Sequence, residues 1–257
     1  MLKSFKTTVV YVGFALIVGI LFGIGISNKR NIDKPSVFKH KHYLDIPEGT
    51  KTIKINIGSS YDPPPPPPDG IIIAFEPTVT TAAEAQVIPG TTCCAQKTKY
   101  KEKTYVIPAA VSNYTGMTTF YRDKSRWGDS SSLSKVSKQG NEYFPILKDV
   151  FSVSYVPVIS FSEVMDSIGQ HVDIIELKTD MQGFDFHAVS SGGNRIRRAK
   201  KVIAEVYKEG FREYEAHANC FETEWKPFMN KMGFRLVSVY FYPNVPEGDA
   251  IWERIDA

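Results

Sequence analysis

Asp180 and Gln182 directly follow the run Asp173–Thr179 (DIIELKT) and precede Gly183 and Asp185. Ile174, Ile175 and Leu177 give that run the apolar, β-branched character of a buried parallel strand. The break into polar residues falls at its carboxyl end, and ligands of open α/β sheets bind outside such ends. A carboxylate there can orient an attacking hydroxyl or take its proton, which makes Asp180 a candidate catalytic residue with Gln182 beside it. Asp185 reads as structural instead, a carboxylate in the first turn of a helix.

Two further strand ends carry candidate chemistry. Lys51–Ser59 (KTIKINIGS) is predicted as a first strand ending at Gly58, and Gly58 with Ser59 allows close backbone approach to a ligand. Ile71–Phe75 (IIIAF) is wholly apolar, hence a central strand, and Glu76-Pro77 follows it. A carboxylate in that position can accept hydrogen bonds from two ribose hydroxyls. The competing reading of Glu76 is a solvated turn residue.

Other chemistries find no support. Gly-x-Ser-x-Gly, His-Glu-x-x-His and Walker patterns are absent, and the five histidines show no ligand spacing, so no metal site is expected. The formal net charge of +3 over 257 residues gives no nucleic-acid footprint. Cys93, Cys94 and Cys220 do not make a disulfide framework. The cluster Arg195, Arg197, Arg198, Lys200 and Lys201 reads first as a solvated face, with an anionic lipid or substrate as the alternative.

The elements that must position the candidates alternate between strand and helix. Thr104–Ser112 (TYVIPAAVS) is predicted as a third strand, with Thr118–Tyr121 as a hairpin arm after Gly116. Ser160 and Glu163 form a capping box opening a helix to about Ile168. A helix from Phe184 to about Ser190 stops at Gly192-Gly193, strand Lys201–Tyr207 (KVIAEVY) follows, and Phe221–Met232 is a helix ended by Gly233. Arg235–Tyr242 and Ala250–Arg254 close the chain as an antiparallel pair. This is an α/β, doubly wound, Rossmann-like sheet. Pro63–Pro68 is a polyproline II rod between two core strands, which favours a structural crossover over a free docking peptide.

LKTDMQGFDF resembles the LK-x-D-x-EG-x-E motif of the FkbM family of S-adenosylmethionine (SAM)-dependent methyltransferases. IIIAFEP, VIPAAVSNYTGMTTFY, KVIAEVY and MGFRL with GDAIWER resemble further family segments in the right order, covering roughly residues 51–255. The resemblance implies a class I methyltransferase fold of about seven strands with the last antiparallel, and SAM as cofactor. It implies that Gly58, Ser59 and Glu76 bind the cofactor, that Ala109 and Ala110 flank its adenine, and that Asp180 and Gln182 face the methyl group and a small-molecule or glycan hydroxyl acceptor. The chain departs from the pattern twice. YDPPPPPPDG replaces the glycine-rich turn and crossover helix, and Gln182 stands where the family has glutamate. These departures motivate an alternative, a non-catalytic binding or scaffold module on the same fold. A glycosyltransferase ranks last, for want of an Asp-x-Asp motif.

Ahead of this domain (51–257), Val9–Ile26 is uncharged and almost wholly apolar, with lysines or arginine on both flanks. Its length suits an uncleaved signal anchor over 9–27, after a tail of residues 1–8 and before a basic stalk at 28–50. The expected location is a single-pass membrane protein of the endomembranes, held in the lipid bilayer by 9–27. The flanking lysines and the sequon at Asn113 point to opposite sides of the membrane and leave the orientation open.

Overall fold

The computed structural model describes residues 44, 46–60, 63–78, 103–124, 129–148 and 150–256. Strand β1 (Thr52–Ile57) runs beside β2 (Gly70–Phe75), and β3 (Thr104–Ile107) extends the sheet beyond β2, all parallel. The chain then leaves the sheet through β4 (Ala110–Ser112), β5 (Gly116–Asp123), helix α1 (Lys138–Tyr143) and β6 (Phe151–Ser160). Helix α2 (Phe161–Ser167) leads back to β7 (Asp173–Thr179), which pairs with β1. Helix α3 (Asp185–Ser191), β8 (Lys201–Tyr207), helix α4 (Lys226–Lys231), β9 (Phe234–Phe241) and β10 (Glu247–Arg254) complete the fold.

The main sheet has the order β3-β2-β1-β7-β8-β10-β9. Only β10 runs against its neighbours, inserted between β8 and β9. This is the mostly parallel seven-strand sheet with an antiparallel last strand anticipated above. Strand β2 is buried along its whole length, which is why its sequence carries no polar alternation. Ile53, Ile55 and Ile57 of β1 pack with Val164, Met165, Val189, Trp225 and Trp252 into one core.

The third predicted strand is in fact two. Pro108 has no N–H to give a ladder, and Ala109 N bonds back to Ile107 O at 2.8 Å, a tight turn that ends β3. Strand β4 then joins a separate three-stranded sheet of order β4-β6-β5. Strand β6 went unread in the sequence because Pro157 interrupts it. Pro157 is tolerated because the β4 ladder starts one residue later, at Val158. The helix expected over Phe221–Met232 opens with a π-helical turn, Phe221–Trp225, before α4. The Ser160 cap is present, with Glu163 N donating to Ser160 Oγ at 3.2 Å. Glu163 answers to the Ser160 hydroxyl, since the Ser160 N–H is taken by Thr115.

The described part of the β1–β2 connection contains no helix, and Pro66 and Pro67 are buried along it. Here the proline run serves as the crossover between adjacent parallel strands. The basic cluster is a paired face, with Arg195 on Asp166, Arg197 on Asp256, Lys200 on Asp173 and Lys201 on Glu176. Cys220 is free and buried, while Cys93 and Cys94 lie outside the described residues. So does the segment 9–27. Among the described residues no helix is long and apolar enough to cross a membrane, and the endomembrane, single-pass placement expected from the sequence is corrected on that ground.

Candidate active site

The carboxyl ends of β1, β2 and β7 and the entry to β4 meet around one cavity of about 740 Å³, mouth included. Gly58 and Ser60 follow β1, Glu76 follows β2, Ala109 and Ala110 join β3 to β4, and Asp180 and Gln182 follow β7. All seven line it. Phe75, Val111, Phe120, Leu133 and Phe184 give it an apolar interior. None of the prolines 63–68 is among its walls. Ser59 is the exception among the predicted residues: it is buried, its hydroxyl points to Ser60 O at 3.4 Å, and Ser60 takes the place beside the cavity.

Gly58 is required by contact within the protein. Its φ is +74°, and a Cβ there would stand 1.8 Å from the carbonyl oxygen of Asp180. Ile57 O in turn accepts from Asp180 N at 2.9 Å. The loops after β1 and β7 are thus in backbone contact, which brings the cofactor-side and acceptor-side candidates to one rim.

Glu76 is nearly buried and holds a backbone N–H on each oxygen, Ser60 N on Oε2 at 3.0 Å and Thr78 N on Oε1 at 2.8 Å. Burial pushes its pKa above the usual carboxylate range, against these two hydrogen bonds and a third from the Thr78 side chain. Of the roughly four acceptor positions of a carboxylate, these three donors leave about one for a hydroxyl on the cavity side. The group that the fold family implies, a nucleoside carrying a ribose, fits that donor set.

Asp180 and Gln182 form a small network. Gln182 Nε2 donates to Asp180 Oδ1 at 3.0 Å and approaches Glu205 Oε1 at 3.5 Å. Its Oε1 accepts from Tyr214 OH at 2.8 Å, and its backbone carbonyl accepts from Ser132 Oγ at 2.8 Å. Gln182 sits at φ +53°, a left-handed conformation rare outside glycine, and Gly183 follows at φ +84°. Lys178 Nζ lies 3.8 Å from Asp180 Oδ2. Desolvation raises the pKa of Asp180, with Lys178 opposing.

Asp185 stands in the first turn of α3 and is fully buried beneath this loop. Its Oδ1 accepts from Met181 N at 3.0 Å, and burial with the nearby Asp180 charge lifts its pKa to about 7. Asn219, unremarked in the sequence, ties the region together. It bonds Glu205 O, Phe186 N and Trp225 Nε1 at 2.8–3.1 Å while fully buried.

A second hollow adjoins the first through Asp129, Asp180 and Gln182 and is walled by Glu205, Glu213, Glu247 and Tyr242. Glu205 was visible in KVIAEVY as an acid in an apolar strand, and its meaning lay in the strand's carboxyl end. Among the described residues no group of three or more His, Cys, Asp or Glu is placed to hold a metal ion.

This sheet order, with its strand-end cavity, defines an α/β methyltransferase-like fold. Residues 67–236, more than half of the chain, match the methyltransferase FkbM domain. The chain belongs to the FkbM methyltransferase family.

Solved structures with a similar fold include the methyltransferase FkbM from Methylobacillus flagellatus KT, at 10% identity and a TM-score of 0.43, covering 84% of this chain and 46% of that one. Magnesium protoporphyrin IX methyltransferase (ChlM) from Synechocystis PCC 6803 with bound SAM aligns at 8% identity and a TM-score of 0.38, over 80% of this chain and 70% of that one. The chain thus spans less than half the length of the FkbM structure it matches. No curated protein matches it.

Proposed function

We propose that the protein transfers a methyl group from SAM to a hydroxyl of a small-molecule acceptor such as a sugar or small metabolite. The observation that carries this reading is that Glu76 and Asp180 line one cavity across the carboxyl edge of the sheet. SAM supplies, when bound, a sulfonium methyl group whose transfer leaves a neutral thioether. Glu76 accepts from a ribose hydroxyl, and the small side chains of Ala109 and Ala110 leave an apolar wall for the adenine. Asp180 takes the proton of the acceptor hydroxyl as its oxygen bonds to the methyl carbon, and the carbon–sulfur electron pair stays on sulfur. Gln182 holds Asp180 in position through its amide.

The non-catalytic reading has one observation in its favour. The crossover helix whose N-terminus would face the cofactor is replaced by the proline run, which removes an anion-binding helix end. Calorimetric titration with SAM and with S-adenosylhomocysteine separates the two. The methyltransferase reading expects saturable binding that Glu76→Ala weakens, together with methyl transfer to a hydroxyl acceptor. Absence of binding at millimolar cofactor, unchanged in Glu76→Ala, would leave only the scaffold reading.

A further inference from the structure

We propose that the acceptor carries a protonated nitrogen beside its reactive hydroxyl, as an amino sugar or aminocyclitol does, and that Glu205, Glu213 and Glu247 bind this cation; the proposal rests on the methyl-transfer reading above. The hollow next to Asp180 is walled by five carboxylates, Asp129, Asp180, Glu205, Glu213 and Glu247. No Lys, Arg or His among the described residues lines it.

The acids are gathered by the sheet itself. Glu205 lies directly opposite Asp249 in the β8–β10 ladder, and Glu247 lies opposite Tyr207, two residues along. Side chains two apart share a face, so Glu205, Asp249 and Glu247 crowd one surface at the carboxyl end of β8. Like charges facing each other across a ladder are unfavourable. Asp249 is relieved by Tyr242 OH at 2.5 Å. Glu205 is not relieved. It is 8% exposed, its Oε1 has only the long contact to Gln182, and its Oε2 has no hydrogen-bond partner. Glu213, 3% exposed, is partly relieved: its carboxyl bonds to Tyr214, Tyr207 and Glu247, although its Oε2 has no hydrogen bond of normal geometry.

Glu205 lines the cavity with its Oε1 held only by a long contact and its Oε2 buried without a partner, and such a carboxyl calls for a donor from outside the protein. A hydroxyl would meet the hydrogen-bonding need while the buried carboxyls stay protonated. An ammonium group meets the same need with charge-assisted bonds. Burial keeps Glu213 and Glu247 above the ordinary carboxylate range, helped by the Glu247 charge on Glu213 and by the Asp180 and Asp249 charges on Glu247, so the cation would also restore their ionised forms.

The test compares amine and hydroxyl isosteres on the full chain saturated with S-adenosylhomocysteine. The probes are glucosamine against glucose and streptamine against scyllo-inositol, titrated calorimetrically at neutral pH. Each amine is expected to bind at least about ten-fold more tightly than its hydroxyl counterpart, and Glu205→Gln with Glu213→Gln should bring the pairs within about two-fold. Equal affinities within both pairs in the unaltered protein would overturn the proposal without recourse to any variant. So would an amine preference that survives both substitutions. Failure to bind S-adenosylhomocysteine while the amine preference holds would sink the methyl-transfer reading alone.

Discussion

Gln182 Nε2 donates to Asp180 Oδ1 at 3.0 Å, so the amide presents hydrogens to the carboxylate that is to act as base. Tyr214 OH bonds the amide oxygen at 2.8 Å and fixes which end of Gln182 faces Asp180. A glutamate at this position would put an acceptor against an acceptor, with Glu205 close behind. Gln182→Glu is therefore expected to raise the Asp180 pKa further and displace the rising limb of the pH–rate profile to higher pH. Asp180→Asn removes the base, with an expected loss of about 10²–10⁴ in kcat. The check is the rate of methyl transfer across pH for the three proteins. A profile unmoved in Gln182→Glu would remove the positioning role from Gln182.

Glu76 carries two tasks, and substitution separates them. Its oxygens hold Ser60 N and Thr78 N, so Glu76→Ala leaves two N–H groups without their partner at a cost of about 1–3 kcal/mol each where they stay dry. Glu76→Gln keeps one acceptor oxygen and should retain more of that stability. Both variants lose the ionised acceptor offered to the ribose, so cofactor affinity should fall about ten-fold or more in each. Melting temperature reads the first effect and calorimetric titration the second. Wild-type affinity in Glu76→Gln would show that the charge is not used.

Gly58→Ala tests the contact between the two loops. The left-handed backbone alone costs an alanine about 1–2 kcal/mol. The larger effect is steric, because a Cβ 1.8 Å from Asp180 O forces the β7 loop away. A drop in melting temperature accompanied by loss of cofactor binding is expected. Ser59→Ala, outside the cavity wall, should change neither by much, and a large loss of cofactor affinity in Ser59→Ala would contradict the placement of its side chain.

The end of β2 was legible because burial on both faces writes an unbroken apolar run, and the end of β7 because Ile174, Ile175 and Leu177 give way to Asp180, Gln182 and Gly183. That logic placed Glu76 after β2 and Asp180 after β7 on one cavity, as the structure has them. It failed for the β4-β6-β5 sheet, where Pro157 and alternating serines in FSVSYVPVIS obscure a ten-residue strand. It read Gly58 as a close approach to a ligand; the glycine does line the cavity, and it also packs against Asp180 O, which the sequence did not show. The acidic wall was out of reach for a different reason. Glu213 and Asp129 come from loops, and only tertiary pairing brings them beside Glu205 and Glu247.

Those buried acids also set how stability should vary with pH. Burial raises Asp185 to about 7 and Glu213 to about 8, and Glu205 lies well above its ordinary value. The unfolded chain releases these protons near the ordinary carboxylate values, 3.8 for Asp and 4.5 for Glu. Between there and about 8 the folded state therefore binds more protons than the unfolded state, and stability falls as pH rises through that window. Each such group contributes a slope of up to about 1.4 kcal/mol per pH unit while it alone stays protonated in the fold. Melting temperature should decline from pH 5 towards pH 8, less steeply in Glu213→Gln, which cannot ionise. A cation seated among Glu205, Glu213 and Glu247 should flatten the same decline by stabilising their charged forms. A melting temperature that rises across the window would contradict the burial of uncompensated carboxyls on which both statements stand.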